Sequence, residues 1–251
     1  MKISVCVEAL YGQRLLEGID DTARAGLHAI EFWGWADKDI GAIEHRAKAC
    51  GLPVAAMCTR EFDLTNPSRR TTYLEGLHAS IPVARQLGCT TLITQVGMDT
   101  GEPRELQHAS IVSGLRAAAP MLEAEGITLV IEPLNLRVNH PGYYLYSSDE
   151  AFDIVKEVAS PCIKVLFDIY HQQITEGDVT QRLLANISWI GHFHAAGNPG
   201  RHELSMGELN YRYILRMIAQ TGYSGYIGLE YMPAGVPLQG LMDTAAMVRE
   251  G

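Results

Sequence analysis

The chain has 251 residues, of which 47% are hydrophobic and 20% charged, and its formal net charge is −9 at pH 7. This length is typical of one eight-unit α/β barrel, and the composition supports a full core without disulfides. The acidic balance argues against a nucleic-acid or anionic-membrane surface, and no run approaches the ~18 apolar residues of a membrane span.

Short apolar runs of strand type alternate with helix-type patterns from end to end. We predict eight strands, at Ile3–Val7, Ala29–Phe32, Val54–Cys58, Thr91–Gln95, Thr128–Ile131, Ile163–Phe167, Ile190–Phe193 and Tyr226–Leu229. We predict helices at Leu15–Ala25, Ile40–Cys50, Thr71–Leu87, Glu105–Glu125, Ser148–Val158, Val179–Ala185, Tyr211–Gln220 and Leu241–Arg249. Pro120 lies inside the fourth of these helices, so we expect a kink or break there.

The order of these elements predicts the fold. Eight βα units without a linker or a shift in composition favour a single (β/α)8 TIM barrel over residues 1–251, rather than a doubly wound sheet. The connections from strand to helix are long, at residues 59–70, 133–147 and 195–210, whereas those from helix to strand are short. This asymmetry predicts a functional face at the carboxyl ends of the strands.

The cysteines and the amino terminus indicate the compartment. The five cysteines are scattered, odd in number and without a CxxC motif, which is typical of free thiols in a reducing environment. The first residues, MKISVCVEALYG, enter a strand pattern directly and carry no signal-peptide signature. We therefore expect a cytoplasmic protein.

Four polar residues each follow or end an apolar run in the second half of the chain. Glu132, Asp168, His194 and Glu230 are separated by 36, 26 and 36 residues, each about one strand–loop–helix unit. In a barrel these side chains converge at one rim and form an oxygen-rich site for a divalent metal ion, with acid/base groups beside it. Mg²⁺, Mn²⁺, Co²⁺ and Zn²⁺ all accept this ligand set. The alternative is that each residue caps a turn or pairs with an arginine inside the barrel.

Further residues lie near the same rim. His171 follows Asp168 closely enough to reach the cavity, although it also suits a loop histidine bonded to backbone. Arg201 follows the seventh strand and can bind a carboxylate or a hydroxyl pair, unless it is a solvated loop arginine. Glu8 and Trp33 end the first two strands and are candidates for a wall facing a sugar-like ligand, while core packing suits Trp33 equally.

Two polar residues lie inside strands rather than at their ends. We expect Glu31 to be the structural partner of an arginine inside the barrel. His192 shares the inward face of His194 one layer deeper, and we interpret it as a supporting or core residue rather than a metal ligand.

Several segments resemble the xylose isomerase-like TIM barrels, and within them the hydroxypyruvate isomerase group. They are IEPLN (131–135), PGYYL (141–145), FDIYHQQITEGD (167–178), GHFHAAGNPGRHE (191–203), GELNY (207–211) and GLEY (228–231). The resemblance implies a divalent metal held by Glu132, Asp168, His194 and Glu230, with Glu132 and Glu230 as the acid/base pair. It also implies that His171 and Arg201 contact a small hydroxy-acid or sugar. The reaction implied interconverts a hydroxy-aldehyde and a hydroxy-ketone, such as hydroxypyruvate and tartronate semialdehyde.

One position departs from this resemblance. The hydroxypyruvate isomerase group commonly has Gln where this chain has His194, and a His-x-His pattern is closer to the ketose 3-epimerases. A 3-epimerase acting on a free ketose is therefore the alternative.

Two other classes of protein share this barrel or could use it. A metal-dependent AP endonuclease would need more His and Asp ligands and a basic face. A non-catalytic binding barrel would not need all four ligands. A homo-oligomer is compatible with apolar residues in the 59–70 loop and on the outer helices.

Overall fold

In the computed structural model of the protein, which describes residues 1–250, eight parallel strands close into a barrel in chain order. The strands are β1 (Lys2–Cys6), β2 (Ala29–Phe32), β3 (Val54–Cys58), β4 (Thr91–Thr94), β5 (Thr128–Ile131), β6 (Ile163–Asp168), β7 (Ile190–Ala195) and β8 (Tyr226–Leu229). The barrel closes where β8 pairs in parallel with β1. The predicted TIM barrel is confirmed, and the predicted strands differ from the observed ones by at most two residues at an end.

Helices surround the barrel. Within residues 1–250 they are α1 (Val7–Tyr11), α2 (Leu15–Arg24), α3 (Ile40–Ala49), α4 (Arg70–Leu87), α5 (Arg104–Glu125), α6 (Ser148–Val158), α7 (Ile169–Thr175), α8 (Val179–Ala185), α9 (Tyr211–Gln220) and α10 (Pro237–Glu250). Helices α1 and α7 were not predicted, because each is shorter than two turns and directly follows a strand, which leaves no helical period to detect. None of the helices in this range is both long and apolar enough to cross a membrane.

No break occurs at Pro120, because α5 runs without interruption from Arg104 to Glu125, whereas a kink there stays a prediction. Proline removes one backbone hydrogen bond from a helix, but the neighbouring Ala119 and Leu122 are buried against the barrel. Packing of this face therefore holds the helix together across the proline.

Strand alternation places the polar residues of the rim. Successive side chains of a strand point to opposite faces, so residues two apart share a face. Val130 and Leu166 belong to a small buried apolar cluster with Ala56, Cys58 and Ile93. Glu132 lies two residues after Val130, and Asp168 lies two residues after Leu166. The acidic side chains therefore lie directly above an apolar floor, at the carboxyl ends of their strands.

Candidate metal centre and active site

The four rim residues predicted from the sequence lie together in the structure. Each of Glu132, Asp168, His194 and Glu230 offers one ligand atom, and these atoms all lie within 4.8 Å of one another. His194 Nδ1 is 3.7 Å from Glu132 Oε1 and 3.4 Å from Glu230 Oε2. All four residues are buried. The barrel thus gathers three carboxylates and one imidazole from four successive strands.

Asp168 both caps the helix that follows it and presents an oxygen to the site. Its Oδ1 accepts hydrogen bonds from the backbone N–H groups of Tyr170 (2.7 Å) and His171 (3.2 Å), and so caps α7. Its Oδ2 lies 3.5 Å from His171 Nε2 and 4.0 Å from the guanidinium of Arg201. One oxygen therefore fixes the carboxylate, while the other faces the site.

Glu31 connects the site to the layer below it. Its Oε2 lies 3.0 Å from Nε2 of both His192 and His194, and all three residues are buried. The predicted pairing of Glu31 with an arginine is wrong, because its carboxylate instead contacts two histidines of β7, which is three strands away around the barrel. Burial opposes ionisation of Glu31, but the two imidazoles outweigh burial and hold its pKa below its usual range.

The contact with Glu31 fixes the orientation of the His194 ring. An ionised carboxylate accepts hydrogen bonds and donates none, so Nε2 of His194 carries a proton and Nδ1 faces Glu132 and Glu230. Burial opposes ionisation of His194, but the charges of Glu230 and Glu31 outweigh it and raise its pKa well above the usual range, so Nδ1 also carries a proton that a bound metal ion would replace. Metal-binding histidines are commonly held by such a carboxylate at the second ring nitrogen.

Gly228 makes room for this arrangement. A Cβ at residue 228 would lie 2.3 Å from Glu31 Oε1 and 2.7 Å from His194 Cδ2. Neither distance is tolerated by non-bonded atoms. A side chain at this position of β8 is therefore incompatible with the observed contact between Glu31 and His194.

Glu230 is held by donors from two other loops. Trp33 donates its indole N–H to Glu230 Oε1 at 2.6 Å, and the guanidinium of Arg201 pairs with Oε2. Arg201 has a positive φ of 57°, a strained backbone conformation for a residue with a side chain. Strain of this kind persists where the surrounding structure holds the residue in place. Here it accompanies the pairing of Arg201 with Glu230.

The two glutamates experience different electrostatic environments. Burial raises the pKa of Glu132 above its usual range, and the charges of Glu230 and Asp168 add to this effect. Burial also opposes ionisation of Glu230, but His194 and Arg201 outweigh it and hold the pKa of Glu230 below its usual range. Without another cation, the pair therefore favours one protonated and one ionised carboxyl group.

The donor set fits a divalent cation. Glu132 Oε1 and His194 Nδ1 are buried, yet neither has a hydrogen-bond partner among the described residues. Buried polar atoms ordinarily have a partner, so two such atoms side by side indicate a ligand between them. Carboxylate oxygens with one imidazole nitrogen are suitable ligands for Mg²⁺, Mn²⁺, Co²⁺ or Zn²⁺.

His171 presents a defined hydrogen-bond donor to the site. Asn135 Oδ1 accepts the backbone N–H groups of Val138 and Asn139, which orients the amide so that its Nδ2 lies 2.6 Å from His171 Nδ1. Because this Nδ2 is a donor, His171 Nδ1 is an acceptor and the ring proton lies on Nε2. Burial lowers the pKa of His171 to about 4, so the ring is neutral at neutral pH.

A cavity of about 380 Å³ opens above these residues. Glu132, His171, Arg201 and Glu230 form part of its lining, together with residues of the loops that follow β2 to β5. Those loop residues are Trp33, Gly34, Trp35, Ala36, Asp37, Thr59, Arg60, Phe62, Gln95, Leu134 and His140.

Trp33 and Glu8, the two candidates for a wall facing the ligand, lie in different places in the structure. Trp33 lines the cavity, as the sugar-facing wall requires. Glu8 lies outside the lining: it accepts the backbone N–H of Trp33 at 3.0 Å and pairs with Lys38 Nζ at 3.1 Å. Direct contact of Glu8 with a ligand stays a prediction, and its observed contacts position Trp33.

Asn135 and Arg60 were missed by the sequence analysis. Asn135 follows Glu132 in the segment IEPLN, so its place on a long loop at the rim was the one available signal. Arg60 follows β3 by two residues, on another of the long loops. The contact of Asn135 with His171 and the place of Arg60 in the cavity lining both arise only when the loops fold.

Comparisons with known proteins agree with this geometry. The chain matches the model of a family described as xylose isomerase-like TIM barrel over residues 19–250. It is 32% identical to a hydroxypyruvate isomerase of Escherichia coli, over 96% of this chain and 97% of that protein. It is 35% identical to a 2-oxo-tetronate isomerase of Cupriavidus necator, over 87% of each. The solved structure of an AP endonuclease, family 2, from Brucella melitensis has a TM-score of 0.93 at 30% identity and 98% coverage of both chains.

Proposed function

Because the chain belongs to the xylose isomerase-like TIM barrel family and is an isomerase, we propose that it is a divalent-metal-dependent isomerase of a small hydroxylated keto acid. The reaction interconverts a hydroxy-ketone and a hydroxy-aldehyde, of which hydroxypyruvate and tartronate semialdehyde are the simplest pair. The observation that carries this proposal is the set of four buried ligand atoms within 4.8 Å of one another. Two of the four residues, Glu132 and Glu230, line a cavity of about 380 Å³, which is large enough for a small molecule.

Glu132, Asp168, His194 and Glu230 would hold the metal ion. When bound, a divalent ion polarises the substrate carbonyl and stabilises negative charge on the substrate oxygens. Glu31 keeps Nδ1 of His194 directed at the site, and the α7 cap keeps Asp168 Oδ2 there. The ligand atoms are therefore already oriented by the protein.

The reaction moves one carbon-bound proton. The carbon that bears the hydroxyl group loses a proton to a glutamate carboxylate, and the neighbouring carbonyl carbon receives one. The hydroxyl proton passes to the former carbonyl oxygen, so atoms and charge balance. In this proposal Glu132 and Glu230 remove and return the carbon-bound proton. The Nε2–H of His171 and the guanidinium of Arg201 orient the substrate oxygens.

A ketose 3-epimerase is the second candidate, and His194 is the residue that favours it, since the hydroxypyruvate isomerase group commonly has Gln there. An epimerase removes a proton from one face of a carbon and returns it to the opposite face of the same carbon. Two glutamates serve this reaction as well. The two functions thus differ in the substrate and in the carbon atom that receives the proton.

The test is an assay of the metal-loaded protein with hydroxypyruvate and with free ketoses in deuterated water. Isomerisation transfers solvent deuterium to the former carbonyl carbon, whereas epimerisation labels the inverted carbon. Glu132→Gln and Glu230→Gln keep the shape of each side chain but remove its basicity, and we expect each to lower kcat by at least ~100-fold. Full activity in both variants contradicts the mechanism. A cytoplasmic location with a small-molecule partner completes the proposal.

A further inference from the structure

The cavity contains two arginines on opposite sides of the barrel mouth. In a closed barrel of eight strands, β3 and β7 are diametrically opposed. Arg201 follows β7 and the exposed Arg60 follows β3, and both residues line the cavity. A ligand above the rim carboxylates therefore lies between these two arginine residues, within reach of their long side chains.

These two arginines differ in what they already bind. The side chain of Arg201 is only 14% exposed, pairs with Glu230 and lies 4.0 Å from Asp168 Oδ2, so its positive charge is offset by carboxylates of the protein. The guanidinium of Arg60 has no hydrogen bond or ion pair with any residue in 1–250. Asp37, another charged residue of the lining, is paired with Lys38 at 3.1 Å. Arg60 thus supplies the uncompensated positive charge of the lining.

The backbone beneath Arg60 is fixed although its side chain is unpaired. The N–H of Arg60 donates to Ser80 Oγ at 3.0 Å, and the indole N–H of Trp35 donates to the same oxygen at 3.0 Å. Ser80 is fully buried in α4 and donates in turn to Gly76 O at 2.8 Å. This single hydroxyl therefore holds two residues of the cavity wall in place, and a fixed backbone lowers the entropic cost of binding.

An anionic substrate needs such a charge. The floor of the cavity already carries Glu132 and Glu230, so a substrate carboxylate meets like charges there unless a cation lies beside it. The planar fork of an arginine matches a carboxylate with two parallel hydrogen bonds. We infer that Arg60 binds the carboxylate of the substrate and makes this cavity selective for hydroxylated keto acids over neutral ketoses.

This inference rests on the proposed function and narrows its substrate class. It is tested with two ligands of the same length, since dihydroxyacetone carries a hydroxymethyl group where hydroxypyruvate carries a carboxylate. The affinity of the Mn²⁺-loaded full chain for both ligands is measured by calorimetry, and kcat/KM is measured in parallel. The proteins compared are the wild type, Arg60→Met, Arg60→Lys and Arg216→Met. Arg216 is exposed on α9 outside the cavity and gives the same change in net charge.

We expect Arg60→Met to lower the affinity for hydroxypyruvate by about 10- to 100-fold, because it removes a charge-assisted hydrogen bond. The affinity for dihydroxyacetone should change by less than about 3-fold, and Arg60→Lys should recover part of the loss. Arg216→Met should match the wild type for both ligands.

The inference is overturned if Arg60→Met keeps the wild-type preference for hydroxypyruvate, or if the wild type binds hydroxypyruvate no more tightly than dihydroxyacetone. Binding and turnover separate the two proposals. Selective binding that depends on Arg60 but occurs without isomerisation supports the carboxylate site and contradicts the proposed reaction. Isomerisation of hydroxypyruvate that does not depend on Arg60 supports the proposed reaction and contradicts the carboxylate site at Arg60.

Discussion

Gly228 offers the sharpest test of how the site is built, because its substitution by alanine adds a single methyl group at a known place. The new Cβ would lie 2.3 Å from Glu31 Oε1 and 2.7 Å from His194 Cδ2. A carbon–oxygen contact of ordinary length is about 3.3 Å, so Glu31 must move by about 1 Å. The strand itself is held by pairing of Gly228 with Ser4 on one side and His194 on the other.

The displacement affects stability and metal binding together. Insertion of a methyl group into a packed interior costs about 1–3 kcal/mol. A hydrogen bond to a charged group contributes about 1.5–3 kcal/mol, and Glu31 makes two of them at 3.0 Å. If one is lost, we expect Gly228→Ala to lower the free energy of unfolding by about 2.5–6 kcal/mol. Rotation of His194 should also weaken Mn²⁺ binding by about 10- to 100-fold.

Two measurements check this prediction: urea denaturation of the metal-free protein and titration with Mn²⁺ followed by electron paramagnetic resonance. Gly235→Ala is the matched control, because Gly235 lies on the loop after β8, where an added methyl group would have no atom within 4 Å and the backbone suits any residue. We expect this control to match the wild type in both assays. Wild-type stability and wild-type Mn²⁺ affinity in Gly228→Ala would refute the reasoning.

Three further changes address separate contacts of the site. Glu31→Gln removes the charge beside His194 and should lower Mn²⁺ affinity by about 10- to 100-fold; an unchanged dissociation constant contradicts the role of Glu31 in orienting His194. Trp33→Phe removes the indole donor to Glu230, so we expect chemical denaturation of the metal-free protein to show a loss of about 1.5–3 kcal/mol, and no loss is the contrary result. His171 should be neutral at pH 6 with its proton on Nε2, because burial lowers its pKa to about 4 and Asn135 donates to Nδ1. Nitrogen-15 NMR of the ring distinguishes this tautomer from the Nδ1–H form, and Asn135→Ala should allow both tautomers.

The sequence predicts the parts of the site that depend on strand periodicity. Glu132, Asp168 and His194 follow from inward alternation, and the order of βα units predicts which end of the barrel they occupy. The partner of Glu31 was not predictable in the same way, because 157 residues lie between Phe32 at the end of β2 and Ile190 at the start of β7, and the two strands come close only through closure of the barrel. An arginine and a pair of histidines are equally reasonable partners for an inward carboxylate on sequence alone.

Loop residues were harder to predict for a physical reason. Asn135 acts through an amide whose orientation is fixed by the backbone N–H groups of Val138 and Asn139, and this turn has no sequence period. Arg60 is placed by a hydrogen bond to Ser80, which belongs to a helix twenty residues away. Such contacts arise from the tertiary arrangement of the loops. Their residue types are common in loops of every function, so the sequence carries little information about them.

The charged residues buried at the rim of the barrel interact with those in the layer below it. Glu31, Glu132, Asp168 and Glu230 are all buried, whereas Arg201 is the guanidinium that pairs with this group. Buried carboxylates are costly unless they are paired or hydrogen-bonded. The two imidazole N–H groups satisfy one oxygen of Glu31, and a divalent ion would offset the carboxylates of the rim. His194 contacts both groups through its two ring nitrogens. A change at Glu31 or at Gly228 therefore affects metal binding without any contact with the substrate, while a change at Arg60 affects substrate binding and leaves the metal ligands in place.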